Sequence, residues 1–298
     1  MFIKRRIGMT KIGFIGLGNM GAKMTMNLLK ANYEVIGYDI NKEFVKNLLP
    51  QGIKQADNLS DISEDTDIVI TMLPNGDIVE EIYDNIIDKF KPGTLFVDCS
   101  TIEVNKAKQL HKKCENKKLL SLDAPVSGGV GGAEQATLTF MVGGTENAYK
   151  TMLPLFEIMG KKSLLCGSFG SGQATKACNN MLLATTMIGV GEAFSLGQNL
   201  GLDQEKLFEI LSTSTGSCWA INSYCPIKGV GPTSPADNDF RPGFSADLML
   251  KDLTIALKAI ETTNTSAPFG KNSQENFKKM VNENQGSLDF SAITKFNK

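Results

Sequence analysis

Short, unbroken apolar runs that alternate with helical patterns constrain this chain more than any other feature. "KIGFIG" precedes "NMGAKMTMNLLKAN", "EVIGYD" precedes a helix through Phe44 and Leu48, "DIVITML" a helix from Asp77, and "TLFVD" a helix from Glu103. Strand and helix in turn build βαβ units and a parallel sheet, because parallel neighbours need a crossover long enough to hold a helix. The strands are apolar throughout instead of alternating, as a sheet covered on both faces requires. "LLSLDAPV", "TLTFMVGG", a helix from Glu146 and "SLLCG" extend that sheet. After Gly172 no strand pattern follows, and helices are predicted over 173–199, 204–212, 245–262 and 268–282. The predicted fold is α/β, a doubly wound, mainly parallel sheet over 11–171 after a basic tail at 1–10, then an all-helical domain over 172–298. Residues 214–244, rich in Gly, Ser, Pro and Asn, read as a long loop that is functional or mobile.

Composition excludes several classes of function. The 298 residues are 42% hydrophobic and 21% charged, enough to bury real cores. A net charge of −1 offers no basic stripe, so nucleic acid is not an expected partner. Cys99, Cys114, Cys166, Cys178, Cys218 and Cys225 form no CxxC pair, and His111 is the sole histidine, which predicts reduced thiols and no zinc. No apolar run reaches the roughly 20 residues of a membrane span. Lys4, Arg5 and Arg6, with no acid before Glu34, read either as the end of an organelle-targeting segment or as a basic tail.

Gly16, Gly18 and Gly21 in "GFIGLGNMG" make a GxGxxG at the start of a βαβ unit, between a strand and a helix. That context marks a Rossmann-type dinucleotide site: the turn, with Leu17, Asn19 and Met20, brings backbone close to a pyrophosphate, and the helix N-terminus presents free amides. Asp39, eighteen residues past Gly21, is placed to accept hydrogen bonds from the adenosine ribose. Its charge would repel a 2′-phosphate, and neither Ile40 nor Asn41 supplies an arginine, so NAD is the expected cofactor. Two further strand ends, Leu73–Pro74 and Ser100–Thr101, point at the same crevice; either a hydroxyl such as Thr101 sits beside the nicotinamide, or Ser100 or Thr101 caps the helix starting near Glu103.

"DAPVSGG" ends a strand in Ser127, Gly128 and Gly129, whose amides are either an anion nest suited to a carboxylate or an ordinary turn. Farther on, Lys176, Asn179 and Asn180 share one face of a helix among Ala174, Ala177, Met181, Leu182, Met187 and Ile188. A helix apolar nearly all round is buried, and a buried ammonium is costly and tends toward a lowered pKa that suits acid/base work. The competing reading is that this end of the helix emerges and Lys176 snorkels to solvent. Histidine, the usual base for alcohol oxidation, is represented only by His111 in "QLHKKCENKK", which reads as a solvated helix end.

From about Lys11 to Phe296 the chain resembles the β-hydroxyacid dehydrogenase family, through "GFIGLGNMG", "DAPVSGGVGGA", "LTFMVGG", "GSGQATKACNNMLL", "GSCWAIN" and "LMLKDL". The resemblance implies a Rossmann domain joined through a long helix to a helical domain. It also implies NAD-dependent oxidation of a small 3-hydroxy acid, specifically 3-hydroxyisobutyrate to methylmalonate semialdehyde in valine breakdown. Members acting on tartronate semialdehyde, 4-hydroxybutyrate or glyoxylate-type substrates are the alternatives, and a catalytically silent relative is disfavoured by Lys176 with Asn180. By the same resemblance Lys176 is the acid/base, Asn180 holds substrate with Asn179 a helper, and Ser127, Gly128 and Gly129 anchor the carboxylate. Lys251, Leu73, Pro74 and Thr101 contact the cofactor, and Trp219 and Phe244 either shape the apolar part of the pocket or pack in the core. A homo-oligomer, dimer or tetramer, is implied, with a mitochondrial matrix location in a eukaryotic source and a cytoplasmic one otherwise. The chain departs from the pattern at Ala136, where the family has glycine, at Ile78, and at Asp237, Asp239 and Arg241 in "PADNDFRPGF".

Overall fold

The computed structural model describes residues 10–296, so the basic stretch at Lys4, Arg5 and Arg6 lies outside the described residues. Residues up to Lys176 form one compact unit and those from Ala177 a second. The division therefore falls within a helix, whereas the change in composition falls at 171/172.

The first unit runs β1 (Lys11–Ile15), α1 (Gly21–Lys30), β2 (Glu34–Tyr38), α2 (Lys42–Lys46), β3 (Lys54–Gln55), β4 (Ile68–Thr71), α3 (Gly76–Ile86), β5 (Leu95–Asp98), α4 (Val104–Asn116) and β6 (Leu120–Asp123). It continues with β7 (Val126–Ser127), α5 (Gly129–Glu134), β8 (Leu138–Gly144), α6 (Glu146–Met159), β9 (Gly160–Gly167) and the start of α7 (Ser171–Asn199). The sheet order is β3-β2-β1-β4-β5-β6-β8-β7, with β9 also on β8. Along β3-β2-β1-β4-β5-β6 every pairing is parallel, and the winding reverses between β1 and β4, the crevice where such sheets bind ligands. All residues of β4 and β5 are buried, which is why they carry no polar alternation. Phe14, Met24, Leu28, Phe140 and Phe156 fill one face of the sheet, and Ile15, Tyr83, Phe96 and Leu110 the other.

Two local features depart from the sequence reading. The helix through Phe44 and Leu48 is cut to one turn and a separate 3₁₀ turn, Leu49–Gln51, because Pro50 cannot continue it. Strand β8 runs antiparallel to β6 and β7, since the short α5 is all that separates it from β7 and cannot span a parallel crossover. The fourteen-residue α6 does span one, and β9 is parallel to β8.

The second unit holds the remainder of α7, α8 (Gln204–Thr213), α9 (Trp219–Asn222), α10 (Ala246–Thr263) and α11 (Pro268–Met280) around Met187, Phe194, Met249, Leu253, Phe277 and Phe290. Ser245 caps α10 through the Leu248 amide, and Asn264 ends it in the left-handed conformation. The predicted extension of α11 to Asn282 gives way at Val281 to a π turn broken by Asn284 at φ 60°. Residues 214–244 are not bare loop. They contain α9 and a 3₁₀ turn at Pro235–Asn238, pinned where Asp237 accepts from the amides of Gly229 and Ser234. Fully buried Asp289 accepts from Tyr224 Oη and from the amides of Gly243 and Phe244. Among the described residues no helix is long and apolar enough to cross a membrane.

Candidate active site

The glycine turn follows β1 at the reversal of winding. Gly16 sits at φ 93°, where a Cβ would strike Met72 O, and a Cβ on Gly21 would overlap Gly16 O; both positions demand glycine for the turn itself. Gly18 differs: a Cβ there would meet nothing within 4 Å. Protein packing does not require its bareness, which fits close approach of a ligand pyrophosphate. No side chain caps the N-terminus of α1 and no acid lies in its first turn, so the positive end of the helix is left without a neutralising side chain of its own after Asn19 and Met20. Asp39, just past β2, accepts from Leu17 N at 2.7 Å and from Asn41 N at 2.8 Å. Its carboxylate thus also braces the turn.

Beside this turn lie the ends of β4 and β5. Leu73 N donates to Ser100 Oγ at 2.8 Å, and Asp98 Oδ1 accepts from Thr71 Oγ1 at 2.8 Å and from Ser100 N at 3.1 Å. Ser100 is therefore a brace between two strand ends and not a helix cap; α4 has Glu103 at its N-cap with no side-chain cap at all. Thr101 is half-buried and Pro74 exposed. Burial raises the Asp98 carboxyl to about 6, and its Oδ2 has no hydrogen-bond partner.

Loop β7–α5 carries Ser127, half-buried, with Gly128 at φ 132° and Gly129 at φ 63°. Only glycine takes the first of these without strain. Lys176 on α7 is 7% exposed and donates from Nζ to Val126 O at 2.8 Å, one residue before Ser127. The snorkelling reading is thereby removed: the amine is inside, against the serine–glycine loop. One turn further along α7, Asn180 is 2% exposed. Its Nδ2 donates to Asp252 Oδ2 at 2.5 Å and its Oδ1 accepts from Asn179 Nδ2 at 2.9 Å. Sequence reasoning missed Asp252, although its spacing with Met249, Leu253 and Ala256 puts it on the buried stripe of α10. Lys251 beside it is half-buried, with Nζ 3.4 Å from Asp252 Oδ1.

Trp219 is 51% exposed and stacks on Tyr224, which stacks on Phe290; Phe244 meets Phe290 edge-on. Both residues thus belong to one aromatic row in the second unit, with Trp219 at its open end. His111 is not at a solvated helix end. It is half-buried, stacks on Phe169 and bonds through Nδ1 to Ser121 Oγ at 2.7 Å, and burial pushes its pKa down. The periodicity of α4 hid this, because Ser121 and Phe169 come from distant segments. No group of His, Cys, Asp and Glu suited to a metal occurs among the described residues.

A switch-point glycine turn backed by an acid defines a dinucleotide-binding protein, and comparison with known proteins narrows the class. Residues 11–168 match the family described as the NAD binding domain of 6-phosphogluconate dehydrogenase, and residues 170–297 match the NAD-binding domain of NADP-dependent 3-hydroxyisobutyrate dehydrogenase. The mitochondrial 3-hydroxyisobutyrate dehydrogenase of Drosophila melanogaster is 45% identical over 287 residues, 96% of this chain and 89% of that protein. A probable 3-hydroxyisobutyrate dehydrogenase of Mycobacterium tuberculosis is 44% identical over 96% of this chain and 97% of its own length. The solved Mycobacterium tuberculosis 3-hydroxyisobutyrate dehydrogenase with L-serine superposes with a TM-score of 0.93 at 44% identity, covering 97% of this chain and 99% of that one. The chain belongs to the 3-hydroxyisobutyrate dehydrogenase family and is an NAD-dependent oxidoreductase.

Proposed function

We propose that this protein oxidises 3-hydroxyisobutyrate to methylmalonate semialdehyde, with NAD preferred over NADP. The observation that carries the reading is the buried Lys176 amine held at Val126 O, next to the Ser127–Gly129 amides. When bound, the nicotinamide supplies the hydride acceptor. Ser127 and the amides of Gly128 and Gly129 hold the substrate carboxylate, the natural occupant of an anion nest. Lys176 Nζ, uncharged, accepts the hydroxyl proton as the adjacent C–H bond breaks, and Val126 O keeps the amine aimed. Asn180, fixed by Asp252 and Asn179, orients the substrate. The relative solved with L-serine supports this substrate class, since L-serine is itself a 3-hydroxy acid.

The preference for NAD rests on Asp39 and on Lys42. The nearest cation after Asp39 donates to Ala56 O and Asp57 O and covers the Tyr38 ring, so it is engaged away from any 2′-phosphate. Trp219 and Phe244 as substrate-binding residues and Lys251 as a cofactor-binding residue belong to the same proposal. A homo-oligomer, dimer or tetramer, is part of the same reading, supported by Leu182 and Leu196 standing exposed on α7. So is a mitochondrial matrix location in a eukaryotic source and a place in valine breakdown, supported by the mitochondrial relatives.

Formation of NADH from a panel of hydroxy acids tests the assignment. The highest kcat/KM is expected for 3-hydroxyisobutyrate, with L-serine slower and tartronate-, 4-hydroxybutyrate- and glyoxylate-related substrates poorer. Preference for one of the last three would move the chain to another member of the wider family, and no oxidation of any hydroxy acid would remove the function.

A further inference from the structure

The first turn of α7 is tied to the sheet by a side chain to which the proposed chemistry gives no role. Gln173 is 1% exposed and stands one helical turn before Lys176. Its Nε2 donates to Ser100 O at 2.7 Å and its Oε1 accepts from Ile102 N at 3.1 Å. One amide thus makes two bonds to an extended segment, the pattern of a ladder rung, which fixes both the translation and the rotation of the helix against that segment. The segment is itself braced, because Ser100 is bonded to Asp98 and to Leu73. From the other side the Asp123 carboxylate accepts from Gly170 N at 2.8 Å and from Gln173 N at 2.9 Å. Main chain and side chain of Gln173 are both anchored, three residues from the proposed base.

We propose that Gln173 is a positioning residue for the oxidation: by locking the first turn of α7 to the end of β5, it fixes where Lys176 Nζ meets the substrate hydroxyl. The inference rests on the role given to Lys176 above. The site requires a neutral group with one donor and one acceptor, which glutamine supplies and methionine, of similar shape, does not. A helix is stiff over one turn, so a slip at residue 173 is passed to residue 176. Misplacement of a catalytic group by about 1 Å costs on the order of 100-fold in rate. Gln173→Met is expected to lower kcat by about 10- to 100-fold with KM changed little, because the carboxylate-binding loop is untouched.

Gln173→Glu gives a readout that simple loss of packing does not move. Protonated, the carboxyl keeps both bonds, with its O–H donating to Ser100 O and its C=O accepting from Ile102 N. Ionised, it loses the donor and sets a charge against a carbonyl. The ratio of variant to wild-type kcat is therefore expected near 1 at low pH and to fall at least about 10-fold as pH rises through the raised pKa of a buried carboxyl. A ratio independent of pH would overturn the proposal. The second arm is a double-mutant cycle with Lys176→Ala, following residual turnover at high enzyme concentration. Gln173→Met should cost nothing further once Lys176 is gone. An equal loss in both backgrounds sinks the positioning role while leaving Lys176 in place; near wild-type turnover of Lys176→Ala sinks the reading on which it depends.

Discussion

Replacing Asp98 by asparagine tests whether the strand-end brace is a buried carboxyl that resists ionisation. Asp98 is 3% exposed, and burial raises its pKa from 3.8 to about 6 against the opposing bonds from Ser100 and Thr71. In the unfolded chain the group ionises at its ordinary value. Between pH 3.8 and about 6 the folded state therefore holds a proton that the unfolded state releases, and stability falls as pH rises through that window. At 1.36 kcal/mol per pH unit the loss amounts to about 3 kcal/mol above pH 6. Glu80, pulled down to about 2 by hydrogen bonds from Lys106 and then Lys113, acts with the opposite sign at lower pH and cancels between wild type and variant. The amide in Asp98→Asn cannot ionise. Urea denaturation of both proteins from pH 4 to 8 should show the variant gaining on wild type by about 3 kcal/mol across the window. Two curves separated by a constant amount would show that Asp98 ionises in the fold as it does in the unfolded chain.

Three further outcomes follow from particular residues. Asp39→Ala should raise the KM for NAD at least about 10-fold and relax discrimination against NADP in steady-state kinetics, because the variant loses both the ribose acceptor and the brace on Leu17 N; unchanged selectivity would remove Asp39 from cofactor choice. Ala136 holds φ 56°, in the left-handed region that favours glycine, so Ala136→Gly should stabilise by about 1 kcal/mol and raise Tm by roughly 2 °C in a thermal melt; a lower Tm would show that the turn is unstrained. Tyr224→Phe removes the bond to Asp289 while keeping the stack under Trp219. It should cost about 1 kcal/mol of stability by urea titration, and an unchanged midpoint would show that Asp289 holds the 214–244 segment without it.

The sheet and its ligand crevice were legible because their causes are local. Gly16 and Gly21 are forced by the turn between β1 and α1, and the apolar runs of β4 and β5 are forced by cover on both faces. Short pairings such as β3 and β7, two residues each, carry no periodic signal, since neighbouring strands far along the chain create them. The same limit applies at the site. Periodicity put Lys176 and Asn180 on one face but could not decide between burial and solvent, which depends on Val126 from another segment. Asp252, Gln173 and the surroundings of His111 are defined by partners 71 to 73 residues away or by a ring from another loop. A polar residue on an otherwise buried stripe was the available signal for Gln173 and Asp252, and it was present in the spacing of both.

The central claim is that Lys176 takes the substrate proton from inside the protein. Single-turnover NADH formation by Lys176→Ala, at saturating 3-hydroxyisobutyrate and with dinucleotide binding followed separately by fluorescence, measures it directly. Retained dinucleotide affinity with the chemical step slowed about 10²- to 10⁴-fold is expected. A variant that binds dinucleotide and still forms NADH near the wild-type rate would contradict it.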